Sequence, residues 1–218
     1  MGRNATYLTE MFSGNETDLW TPCIYDFFCR HNPELRVSAC IDSPSQNGPW
    51  YEARKRDPFL KVEGTILKEP SPDEFLRQVG ATFGLGLMSD PRRFTTSGNI
   101  AGISPDIVII RPGRQGVCII ENKPYYRSSF TGNQGPGGAY TEFVLWLNGR
   151  GIPCQYLIIH STSWEKYPQV KQLHQELPGR FGSLLLEEIF LQMARHRFSY
   201  PLVMKNWDEF AEKGSDYA

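Results

Sequence analysis

The 218-residue chain has almost no net charge: 23 Lys and Arg stand against 24 Asp and Glu, a formal charge of −1. That excludes wholesale polyanion binding of the histone kind, so any nucleic-acid contact must come from local basic patches. No apolar run approaches the length of a membrane span, and the N-terminus has no apolar signal-peptide core. An intracellular, cytoplasmic protein with no membrane contact is expected. The phosphate-binding GxxxxGK[ST] loop is missing, which argues against ATP-driven activity within the chain. Internal repeats and low-complexity linkers are missing too, so residues 1–218 are expected to form one domain.

The five cysteines, Cys23, Cys29, Cys40, Cys118 and Cys154, form no CxxC pair. Cys118 and Cys154 lie inside apolar runs, which favours buried thiols over disulfides or zinc ligands. Cys23, Cys29, His31 and Cys40 match no common zinc-finger spacing.

What the sequence does contain is centred on residues 102–123, GISPDIVIIRPGRQGVCIIENK. Two apolar runs, 107–110 and 117–120, flank RPGRQG, whose Pro112, Gly113 and Gly116 suit a tight reversal. A β-hairpin is expected, with Asp106 opening one strand and Glu121 and Lys123 closing the other. In an antiparallel pair those ends lie side by side. Strand alternation sends Glu121 and Lys123 to one face and Asn122 to the other. Two carboxylates a few ångströms apart repel unless a cation sits between them, and hard oxygen donors suit magnesium or manganese. Such an ion polarises phosphoryl oxygens and activates water, while Lys123 would orient or deprotonate that water or offset charge on the phosphate. The bland alternative is a hairpin whose ends are solvated charges.

Pro105 and Asp106, followed by Glu121, Asn122 and Lys123, resemble the two half-motifs of the PD-(D/E)xK phosphodiesterase superfamily, the restriction-endonuclease-like nucleases. The resemblance implies an α/β fold with an αβββαβ core, a mixed central sheet flanked by helices, and here extra C-terminal helices. It implies one or two divalent ions held by Asp106, Glu121 and the backbone carbonyl of Asn122, with Lys123 catalytic. Many members carry an acid on the first helix, and Glu16 is similar to it in place. Glu16 reads equally well as a carboxylate favoured at the positive end of a helix dipole.

The implied activity is Mg²⁺- or Mn²⁺-dependent hydrolysis of nucleic acid, DNA before RNA, as endonuclease or exonuclease. Cutting both strands of a duplex would call for a homodimer. The alternative is a catalytically silent module that uses the same fold to hold nucleic acid or a protein partner.

Elsewhere, 15–30 carries apolar residues at near-helical spacing, and 35–41 alternates like a strand. Ser71, Pro72 and Glu74 form a helix-start signature for a helix reaching about Phe83. Residues 139–148 read as a crossover helix and 154–160 as a strand covered on both faces. Two helices are expected to follow, 164–177 and 184–196, separated by a PGRFGS turn. Arg92 and Arg93, and Tyr125, Tyr126 and Arg127 after the motif, are candidate nucleic-acid contacts by phosphate pairing and base stacking. Ordinary surface loops explain them as well. Arg54, Lys55, Arg56 and Lys61, and Arg195 and Arg197, are further basic clusters that read equally as solvated surface, and His160 and His196 read first as core or surface histidines.

Overall fold

The computed structural model describes residues 20–38, 51–54, 57–85, 103–112, 116–123, 132–160 and 168–198. In chain order these form α1 (Thr21–His31), β1 (Glu34–Ser38), β2 (Tyr51–Arg54), β3 (Asp57–Lys61), β4 (Thr65–Lys68) and α2 (Pro72–Phe83). Then come β5 (Ile107–Arg111), β6 (Gly116–Lys123), α3 (Ala139–Gly149), β7 (Cys154–His160), α4 (Pro168–Glu176), β8 (Phe181–Leu185) and α5 (Leu186–Arg195).

The strands make one mixed sheet, in the order β2-β3-β1-β8-β7-β6-β5-β4. Its centre, β8, β7 and β6, is parallel, and every other pairing is antiparallel. All residues of β5, β6 and β7 are buried, as near-continuous apolar runs require when helices cover both faces. Alternation along these strands divides the core in two. Val108, Ile110, Val117, Ile119, Tyr156 and Ile158 pack with α2, α3 and α4 on one face. Ile107, Ile109, Cys118, Ile120, Leu157 and Ile159 pack with α1 and α5 on the other.

Local chemistry accounts for the element ends. The Ser71 hydroxyl accepts the Glu74 N–H at 3.2 Å and caps α2 as its signature predicts, and left-handed Gly84 closes the helix. α1 begins at Thr21, with Pro22 in the first turn, where a missing N–H does no harm. Cys118 and Cys154 are buried free thiols, as expected, and burial pushes Cys118 up to about 12.

The strand expected over 35–41 is β1, shifted one residue earlier; residues 39–41 lie outside the described set. The PGRFGS stretch is not simply a turn. Phe181 to Leu185 form β8, parallel to β7, and only then does α5 start, so the helix expected from 184 begins at Leu186. Tertiary pairing against β7 overrides the helical reading of Leu184 and Leu185. Among the described residues no helix is long and apolar enough to cross a membrane.

The hairpin depends on Gly116. Its φ is +84°, and a Cβ there would collide with the Pro153 carbonyl, which accepts the Val117 N–H at 2.8 Å. Gly116→Ala should therefore lower folding stability by more than about 2 kcal/mol through strain and overpacking. Urea denaturation measures it, and an unchanged midpoint would refute this role for the glycine.

Candidate active site

The register of the hairpin brings the charged residues together. Ile107 lies opposite Ile120, so one step further Asp106 stands across from Glu121. On the other side of β6, parallel pairing sets Glu121 beside Ile158 and Lys123 beside His160. Alternation puts Asp106, Glu121, Lys123 and His160 on the face covered by α3, at the carboxyl ends of parallel β6 and β7. Open α/β sheets bind ligands at that end.

Glu121 has no exposed surface, and Lys123 retains only 8%. The Lys123 Nζ lies 3.6 Å from Glu121 Oε2. Neither Glu121 oxygen makes a hydrogen bond of standard geometry; Asp106, Lys123 and the Tyr140 hydroxyl act on it at slightly longer range. Asp106 is held from two sides. Its Oδ2 accepts the Asn122 N–H at 2.6 Å, and its carbonyl accepts the Glu69 N–H at 2.8 Å. The Asn122 side chain points to the opposite face, as alternation predicts, where its Nδ2 donates to Thr21 Oγ1 at 3.3 Å.

Loss of water, then repulsion from Asp106, pushes Glu121 from 4.5 up to about 8, against the opposing pull of Lys123 and Tyr140. Desolvation also raises Asp106, partly offset by the Asn122 N–H and by Lys123. At neutral pH the pair holds at least one proton.

A hard divalent cation fits this chemistry: two buried carboxyls repel, and one has both oxygens short of partners. Asp106, Glu121 and the Asn122 carbonyl would hold it. Among the described residues no group of three or more His, Cys, Asp or Glu side chains is placed to hold a metal. Magnesium characteristically keeps several waters and takes only one or two carboxylates.

Glu16, Arg92, Arg93, Tyr125, Tyr126 and Arg127 lie outside the described residues. Three further residues neighbour the site: Tyr140 and Glu69, which the sequence did not single out, and His160, expected first as a core or surface histidine. Tyr140, on α3, is buried with its ring 5.5 Å from that of Tyr156, whose hydroxyl donates to the Gln134 carbonyl at 3.0 Å. Glu69, in the left-handed region at φ 43°, braces the Asp106 backbone. His160, fully buried, neighbours Lys123 and lies near His174, which burial lowers to about 4. The parity of His160 on its strand was the one signal available from sequence.

Comparison of the chain with protein-family models, with curated proteins and with solved structures finds no match.

The raised carboxyl makes stability depend on pH. Below 4.5 both folded and unfolded chains carry the Glu121 proton, whereas from there to about 8 only the folded chain does. Its contribution to stability is thus greatest at the acid end and is lost as pH rises through the window, by up to about 1.4 kcal/mol per pH unit. Glu121→Gln lacks this loss. Without metal it should melt above the wild type at pH 8, by a margin that shrinks toward pH 5. A margin independent of pH would show that Glu121 is not held protonated.

Proposed function

We propose that the protein is a metal-dependent nuclease that hydrolyses phosphodiester bonds in nucleic acid, DNA before RNA. The observation that carries this reading is the juxtaposition of Asp106, Glu121 and Lys123, one of them a fully buried carboxyl, at the carboxyl ends of parallel strands. A purely structural hairpin has no use for an arrangement that costs stability. The topology supports the same reading. β4, β5 and β6 form an antiparallel meander, α3 crosses over, and β7 returns parallel to β6. With α1 ahead of them, this subset of elements is compatible with the αβββαβ order of the PD-(D/E)xK nucleases, given β1, β2 and β3 between α1 and β4 and α2 between β4 and β5.

When bound, magnesium or manganese would supply Lewis-acid polarisation of the phosphoryl oxygen and an activated water. The chain's own residues do the rest. Asp106, fixed by the Asn122 N–H, presents its second oxygen from a set position. Glu121, protonated at neutral pH without an ion, would release that proton to solvent and hold the cation as a carboxylate. The Lys123 ammonium orients the attacking water and offsets the charge that develops on the phosphate. Glu16 would add a carboxylate, and Arg92, Arg93, Tyr125, Tyr126 and Arg127 would contact the nucleic acid.

The depth of the site favours one second reading. With Glu121 wholly buried and Lys123 nearly so, a catalytically silent module would keep the fold and only hold its partner. Incubation with plasmid, single-stranded DNA and RNA, with and without magnesium, separates the two. Magnesium-dependent cleavage is expected, and Lys123→Ala should slow it at least about 100-fold while changing nucleic-acid affinity little. Absence of cleavage under every condition would leave the binding module, and a wild-type rate in Lys123→Ala would move the active site elsewhere.

A further inference from the structure

The last turns of α1 and α5 converge on a cationic corner away from the carboxyl pair. His31 and His196 stand with ring centroids 5.0 Å apart, over Phe27 and Phe198. Arg30 precedes His31 in the chain and Arg195 and Arg197 flank His196, and all three arginines are exposed together with His196. Arg30 is engaged by Asp26 at 2.9 Å, whereas Arg195 and Arg197 have no ion pair among the described residues.

Arg197 occupies an unusual backbone position. The Phe198 N–H donates to the Met193 carbonyl and the Arg197 N–H to that of Ala194, which together make a Schellman closure of α5. The left-handed residue of such a closure is ordinarily glycine, yet here an arginine takes it at φ 51°. A long cation kept at a strained position, exposed and without an acidic partner among the described residues, points to a function.

We propose that Arg195, Arg197 and the His31–His196 pair form a second contact for the phosphodiester backbone of duplex DNA. The identity of this partner rests on the nuclease reading; the anionic chemistry does not. A metal dication is the poorer occupant, because the guanidinium groups oppose it and no third ligand is placed there among the described residues. Burial, then His196 and Arg30, holds the pKa of His31 down, and a bound anion would relieve that repulsion. α1 leads from Thr21, which meets Asn122, to His31 over 11 residues, about 16 Å of helix axis. The corner thus lies with α1 and α5 on the sheet face opposite the one that carries Asp106 and Glu121.

The test is fluorescence anisotropy of a labelled DNA duplex in metal-free, EDTA-containing buffer across a salt series, so that no cleavage intervenes. Arg197→Gly should melt at or above the wild-type temperature, because glycine suits the backbone, and yet bind duplex at least about fivefold more weakly. Arg195→Gln, on an ordinary helical turn, should weaken binding as well. Each substitution should reduce the salt slope by about one. Wild-type affinity and slope in both variants would overturn the proposal, as would variants that bind duplex normally but lose binding to anionic phosphatidylserine vesicles. Weakened binding in a protein that never cleaves DNA would keep this contact and discard the nuclease reading. Cleavage with unweakened variants would do the reverse.

Discussion

Burying the Glu121 carboxyl beside Asp106 costs free energy twice: the charged form loses its water, and a second negative group opposes it. The surrounding fold reads as the means of holding that opposition in place. β6 carries Glu121 in register with Ile158 of β7, one residue past its last pair with β5, so its backbone is held from the β7 side. Asp106 cannot withdraw either, because Asn122 and Glu69 hold its side chain and its carbonyl. Lys123 relieves part of the strain from two residues along the same strand. What remains is a buried carboxyl pair whose repulsion only a proton or another cation would offset.

Geometry at the far end of the hairpin serves the same end. Gly116 admits the close approach of Pro153, and that approach fixes how β6 meets β7. A slip of one residue would carry Glu121 to the opposite face and Asn122 into its place. The two separate cores penalise such a slip, since Val117, Cys118, Ile119 and Ile120 of β6 would all change face with it. Core packing and site chemistry are thus set by one register.

Those parts of the fold that rest on local chemistry were legible in the sequence. Ser71 announces α2, the Pro112 to Gly116 turn announces the hairpin, and unbroken apolar runs announce β6 and β7 as strands covered on both faces. The Asp106, Glu121 and Lys123 grouping followed from strand alternation together with the antiparallel pairing of the expected hairpin. Elements that exist only through pairing were harder. β4 is four residues, two of them apolar, at the sheet edge, and β2 and β3 are short and interrupted by charge. In β8, Gly182 and Ser183 disguise a strand that β7 enforces. Tyr140 and Glu69 reach the site across the fold from elements whose own sequence gives no sign of it. The helical corner at His31 and His196 likewise joins residues 165 positions apart in chain number, a meeting no local pattern encodes.

The claim that most of this depends on is the suppressed ionisation of Glu121, and carbon-13 NMR of glutamate-labelled protein measures it directly. Without metal, the Glu121 carboxyl should titrate near pH 8. Saturating magnesium should move that titration to lower pH, and Asp106→Asn should move it part of the way by removing the opposing charge. A Glu121 carboxyl that titrates near 4.5 in metal-free protein, or one indifferent to both magnesium and Asp106→Asn, would contradict the account.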